Sequence, residues 1–166
     1  MLINVPRISE IEFWLAKEFN YRQNIVVPNV SWGMGLHECD LLVLRASGFA
    51  VEVEIKRSLS DLKADSKKNH IHASVKVREL WFAIPVEVYD KGAEFVPERA
   101  GILTFERRDF RFSGGKTKEG LLIRRRREAK INAAARKFTD KERQQLLRLA
   151  HMRIWAMKRQ ISRGAR

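Results

Sequence analysis

HECDLLVLRASGFAVEVEIK, residues His37 to Lys56, decides how this chain is read. Two apolar runs, Asp40 to Arg45 and Ala50 to Lys56, are separated by Ala46-Ser47-Gly48, which predicts an antiparallel hairpin. Side chains alternate across a strand, so Val51, Val53 and Ile55 share one face and Glu52, Glu54 and Lys56 the other. The apolar face can pack on a helix, while the second face presents two carboxylates and an amine in a row. Glu38 and Asp40 likewise share a face of the preceding strand. Pairing of the two strands sets Asp40 beside Glu54. Cys39 then falls on the face opposite Asp40 and reads as core rather than as a nucleophile.

Such an arrangement suits phosphodiester hydrolysis. Carboxylate oxygens of Asp40 and Glu54, with the backbone carbonyl of Ile55, make a hard-oxygen site for Mg²⁺ or Mn²⁺. A cation there polarises the scissile phosphate and lowers the pKa of a water. Lys56, two residues past Glu54, reaches the same space. Its roles are to orient or help deprotonate the nucleophile, or to stabilise charge developing on phosphate. Glu-x-Glu-x-Lys is also the pattern of a solvated strand face with cross-strand charge pairs. Three features favour chemistry: Asp40 on the preceding strand, a buried strand after a crossover helix, and the basic surround.

Working outward, Ile8, Ile11, Leu15 and Phe19 recur at helical spacing and predict a helix from Ile8 to Phe19. Pro28, Asn29, Gly33 and Gly35 mark an irregular connection. Ser58 to Ala73 lacks Gly and Pro and predicts a helix, followed by a buried strand from Glu79 to Ile84, stopped by Pro85. Strand, crossover helix and buried strand imply a parallel pair, hence an α/β sheet. Gly101 to Glu106 and Gly120 to Arg124 read as further strands around a Ser113-Gly114-Gly115 turn. Thr139-Asp140-Lys141-Glu142 has capping-box spacing. Leu146, Ala150, Ile154, Met157 and Ile161 then form one apolar stripe on a last helix, expected to pack on the domain or on a partner. The expected division is a core at 1–125 and a basic helical extension at 126–166.

The chain of 166 residues suits one such domain, and with 45% apolar residues it reads as folded. No apolar run reaches the roughly 20 residues that span a bilayer. Met1 to Glu10 lacks the layout of a secretory signal, and a single cysteine forms no internal disulfide, so a cytoplasmic location is expected. His37, His70, His72 and His151 lack zinc-ligand spacing, and Ser113 to Thr117 lacks the first glycine of a phosphate loop. The formal net charge of +13 points to nucleic acid. Arg124, Arg125, Arg126 and Arg127 read as phosphate contacts, with Lys130, Arg136, Lys137, Arg143, Arg148, Arg153, Lys158 and Arg159 as further basic positions. Trp155 reads as packing in a helix interface.

Asp40, then Glu54-Ile55-Lys56 after a hairpin, resembles the PD-(D/E)XK nuclease superfamily, with Cys39 where a Pro commonly precedes the Asp. The stretch EIKRSLSDLKADSKKNH followed by ELWFAIP is similar to its MmcB-like DNA-repair branch, through Ser58, Asp61, Ala64, Asp65, Lys67 and Phe82 to Pro85. The resemblance covers about residues 8 to 106. It implies a restriction-endonuclease-like core of helix, hairpin, helix and strand, a divalent metal and a DNA substrate. Asp40 and Glu54 would be metal ligands and Lys56 the catalytic lysine. A first-helix glutamate is often added; Glu10 is the candidate, with Glu12 as alternative. Glu38 is a further acidic ligand candidate, Glu52 lies farther along the strand, and Lys67, Lys68 and His70 are candidates for the phosphate path. The expected function is metal-dependent DNA cleavage in repair, recombination or a phage or mobile-element process. A homodimer would suit two cuts in a duplex. The competing expectation is a catalytically silent DNA-binding or nucleoprotein-assembly protein.

Overall fold

The expected hairpin forms. In the computed structural model, which describes residues 6–30, 34–36, 38–66, 74–111 and 113–164, β2 (Cys39–Leu44) pairs antiparallel with β3 (Ala50–Ile55). Leu41 lies opposite Val53 and Leu44 opposite Ala50. The turn closes through Gly48, whose φ of +87° a side chain rarely adopts. Helix α1 spans Ile8–Glu18, within a residue of its expected end.

β1 (Ile25–Val30) pairs antiparallel with β2 where an irregular connection was expected. Pro28 and Asn29, the latter at φ +53°, caused that misreading. Both are tolerated because β1 is the edge of the sheet, where a missing N–H breaks no second ladder. After α2 (Leu59–Ser66), β4 (Val77–Pro85) lies parallel to β3, as the crossover pattern predicts. The helix expected to Ala73 is described only to Ser66; 67–73 lie outside the described residues. A short helix, α3 (Tyr89–Gly92), leads to β5 (Gly101–Arg111), parallel to β4, and β6 (Thr117–Arg127) returns antiparallel. The result is one mixed six-stranded sheet in the order β1-β2-β3-β4-β5-β6.

Apolar side chains cover this sheet unevenly. Val51, Val53 and Ile55 join Leu41, Val43, Trp81 and Phe105 under Ile11 and Leu15 of α1. The other side carries two separate clusters. One gathers Leu42, Leu44 and Val27 under Leu146 of α4 (Asp140–Gly164); the other gathers Leu80, Phe82 and Ile84 with Leu62 of α2. Between them run Glu52, Glu54 and Lys56, all buried. The polar row therefore lies buried between two apolar clusters, not on a solvated face.

β5 and β6 run 11 residues each, well past their apolar segments. Trp14 of α1 stacks on Phe110, with centroids 5.2 Å apart, and lies over Gly120, where a Cβ would meet the indole at 2.2 Å. Beyond Arg127 the chain straps back across the sheet. Backbone N–H groups of Lys130, Asn132, Arg136 and Phe138 donate to carbonyls of Arg99, Arg78, Val75 and Gly48. The capping box at Thr139 forms reciprocally: the Glu142 N–H donates to the Thr139 hydroxyl at 3.2 Å, and the Thr139 N–H to the Glu142 carboxylate at 2.9 Å. Of the stripe expected on α4, only Leu146 is buried and Ala150 is half-buried; Ile154, Met157 and Ile161 are exposed. The helix outruns the sheet beneath it. No described helix is long and apolar enough to cross a membrane.

Candidate functional site

The hairpin register carries Asp40 towards Glu54, and the charge of Asp40 adds to the rise of the Glu54 carboxyl. Asp40 is fixed from below: its Oδ2 accepts the Ile55 N–H at 2.7 Å. In an extended residue the N–H and C=O point to the same neighbour. The Ile55 carbonyl therefore faces the β2 side, where Asp40 stands, while the next N–H, that of Lys56, turns to Ala83 of β4 at 3.0 Å.

Lys56 is held at both sides. Its ammonium donates to Glu54 Oε2 at 2.9 Å and to Asp65 Oδ1 of α2 at 3.1 Å. α2 is positioned for this by its own start, where Ser58 Oγ accepts the Asp61 N–H at 3.1 Å and the Asp61 carboxylate accepts the Arg57 N–H at 3.2 Å. Asp65 lies one turn beyond Asp61, on the same helix face.

One atom of the cluster has no partner. Glu54 Oε1 is buried and accepts no hydrogen bond; among the described side chains the other buried polar atom without a partner is a donor, Arg99 Nη2. A carboxylate oxygen left so is costly unless something positive meets it. The electrostatics agree. Burial pushes the Glu54 carboxyl up to about 7, with Lys56 opposing the rise and Asp40 and Glu52 adding to it. Burial also raises Asp40, against the Ile55 N–H and Lys56. Burial acts against the Lys56 ammonium, yet Glu54 and Asp65 outweigh it and hold the group above its ordinary value.

The first helix contributes Glu12 rather than Glu10. Glu12 accepts a hydrogen bond from the Asn29 side chain at 3.1 Å; burial first, and then the charge of Asp40, raise its carboxyl. Glu10 instead faces the β5–β6 side of the sheet, where the Arg107 guanidinium donates to it at 3.1 and 3.2 Å. The two glutamates flank the apolar stripe of α1 on opposite sides, and only the sheet beneath decides which flank meets β2. Glu38 lies close enough to raise Asp40 through its charge. Cys39 is buried in the core beside Val30 and Met34. Lys67, Lys68 and His70 lie outside the described residues.

The arginine run lies on β6 with Arg124, Arg125 and Arg126 exposed, and each of its members has a partner on the domain itself. Arg125 pairs with Glu18 at 3.1 Å and lies over the Trp81 ring, Arg126 donates to Thr104, and Arg127 donates to the carbonyls of Ala100, Val96 and Pro97. Arg124 stands near Glu106 at 3.7 Å. These side chains bind their own sheet because β6 is a long edge strand with carboxylates and carbonyls within reach. Sequence reasoning assigned no role to Asp65, Asn29 or Arg153 in the site. The signal for Asp65 was its i+4 spacing from Asp61; for Arg153, which donates to the Asn29 carbonyl, there was none.

Among the described residues no three His, Cys, Asp or Glu side chains form a group able to hold a metal ion. The donor set here is instead two carboxylates and a carbonyl, and the orphaned Glu54 oxygen within it fits a hard divalent cation. A groove begins one residue past Lys56, at the carboxyl ends of β3 and β4 and beside the middle of β5, lined by Arg57, Leu59, Pro85, Phe105 and Arg107. In open α/β sheets ligands are bound at such strand ends.

Compared with known proteins, the chain matches no protein-family profile and no curated protein. A solved structure of a protein of unknown function from Silicibacter pomeroyi is similar to it, with a TM-score of 0.60 and 18% identity over 96% of this chain and 93% of the other. At that identity the likeness concerns the fold alone. Fold and site together define the class: an α/β domain on a mixed six-stranded sheet, with a buried acidic-lysine cluster on its third strand.

Proposed function

We propose that the chain is a divalent-metal-dependent DNA nuclease of the restriction-endonuclease-like, PD-(D/E)XK type, related to its MmcB-like branch and acting in repair, recombination or a mobile-element process. The observation that carries this is the unpartnered, buried Oε1 of Glu54 beside Asp40 and Lys56. Asp40, Glu54 and the Ile55 carbonyl would hold Mg²⁺ or Mn²⁺. When bound, the cation would supply polarisation of the scissile phosphate and a lowered pKa for a nearby water. Asp40 is oriented for this by the Ile55 N–H, and Glu54 keeps one oxygen on Lys56 and the other available. Lys56 retains its proton, held by Glu54 and Asp65, which favours stabilisation of charge on the phosphate over proton abstraction. Glu12, facing Asp40, is the better helix carboxylate than Glu10. The formal charge of +13 supports a polyanionic substrate.

Incubation of purified protein with linear, nicked, single-stranded and branched DNA tests the reading. Cutting in Mg²⁺ or Mn²⁺ is expected, with none in EDTA and a loss of about 10³-fold in Lys56→Ala and Asp40→Ala. Equal cutting by wild type and Lys56→Ala would exclude this site. One observation favours a second reading, a silent nuclease-like DNA-binding protein: the Lys56 ammonium already has two carboxylate partners. Tight, salt-sensitive binding without cutting on any substrate would select it.

A further inference from the structure

The inner side of α4 is anchored. Leu146 is buried, Leu149 and Ala150 pack on the cluster beneath β1 and β2, and the Arg153 guanidinium donates to the Asn29 carbonyl. The outer side holds Trp155, which is 59% exposed instead of packed as its apolar bulk predicts. Its indole N–H donates to His151 Nε2 at 3.1 Å, which fixes the ring against the helix. At about 100° per residue, Arg148, Lys158 and Arg159 stand on the same side as Trp155, seven residues before it and three and four after. All three are exposed. From Arg143 to Arg166 the chain carries no Asp or Glu.

We propose that this face of α4 is a platform for single-stranded nucleic acid. The Trp155 ring stacks on an unpaired base, and Arg148, Lys158 and Arg159 meet the flanking phosphates. A positively charged surface with one rigid aromatic at its centre is complementary to a backbone that is anionic and bases that present flat π-faces. Base pairs in a duplex hide those faces, so the platform selects unpaired strands. An anionic lipid surface fits less well: Ile154 and Ile161 lie on a different side of the helix from Trp155, and no single apolar face carries all three into a bilayer interface. A second copy of this face would set like charges against each other. The proposal is separate from the nuclease reading, since Trp155 lies on the far side of α4 from Arg153 and the Asp40 cluster.

The test is a fluorescence titration of the full chain with an oligothymidylate of about ten nucleotides, in EDTA, over a range of salt. The expected result is quenching of Trp emission, salt-dependent binding tighter than to a duplex of equal length, and about tenfold weaker binding in Trp155→Ala. Trp155→Phe is expected to restore most of the affinity. Arg159→Ala is expected to reduce the slope of log affinity against log salt by about 0.7. Trp155→Ala binding as tightly as wild type would overturn the proposal. So would tight binding confined to phosphatidylglycerol vesicles, or self-association that buries Trp155. Because no metal is present, failure of the cleavage assay would leave this result standing.

Discussion

β3 and β6 both bring rows of charge into the sheet, and the structure treats them in opposite ways. The Glu52-Glu54-Lys56 row is buried on a central strand, with Lys56 held by Glu54 and Asp65 and one Glu54 oxygen left over. The Arg124 to Arg127 run lies on an edge strand, and its members are tied to nearby carboxylates, a hydroxyl and carbonyls. In sequence both rows looked functional. What separates them is solvent: at the edge a cation finds a partner at small cost, whereas burying carboxylates beneath apolar clusters is expensive and needs compensation. Charge in an unfavourable place is the stronger pointer to chemistry.

The largest expected difference between the two rows is in stability. Lys56→Met should leave Glu54 and Asp65 buried without their cation and cost about 3 to 5 kcal/mol, measured by urea unfolding at pH 8 in EDTA. A cost below about 1 kcal/mol would mean that β3 behaves like the exposed edge after all.

A somewhat smaller effect is expected in pH dependence. Glu54 in the folded chain sits at about 7 against an ordinary 4.5, so the folded state holds the proton more tightly. Its contribution to stability is present below about 4.5 and is lost as pH rises through about 7. Glu54→Gln in EDTA should therefore flatten the fall in stability between those values, by roughly 3 kcal/mol across the window. An unchanged slope in thermal melts at pH 5 and 8 would remove Glu54 as its source. Asp40, raised in the same direction, should leave a residual slope.

The smallest effects belong to β6, and they should differ within the run. Arg127→Ala loses donors to three carbonyls and is expected to cost about 2 kcal/mol, whereas Arg124→Ala, half exposed beside Glu106, should cost under about 0.5 kcal/mol. Equal values for the two in denaturant melts would show that partner type does not order this strand.

Much of this was legible in the residues themselves. The alternation of Val51, Val53 and Ile55 with Glu52, Glu54 and Lys56 named the hairpin, its faces and the acidic-lysine row, because a strand has a period of two. Helical spacing marked α1, the lack of Gly and Pro after Ser58 marked α2, the capping box at Thr139 marked the start of α4, and Pro85 closed β4. β1 was missed because Pro28 and Asn29 are breakers everywhere except at a sheet edge, and being an edge is not a local property. The stripe on α4 left open whether the domain or a partner covers it, because periodicity shows that residues share a side, not how far the sheet beneath them extends.

Local sequence, then, determined the elements and the order of groups along each of them. Periods, caps and turn residues act over a few positions, and their physics is complete within the chain segment. Tertiary structure alone decided that Glu12 rather than Glu10 faces Asp40, that Asp65 holds Lys56, that Glu54 keeps an unpartnered oxygen, and that Trp155 faces solvent. Each of these depends on which distant element covers which face, and on the burial that results. Burial sets the desolvation that gives a charge its energy, and no pattern along a single strand contains it.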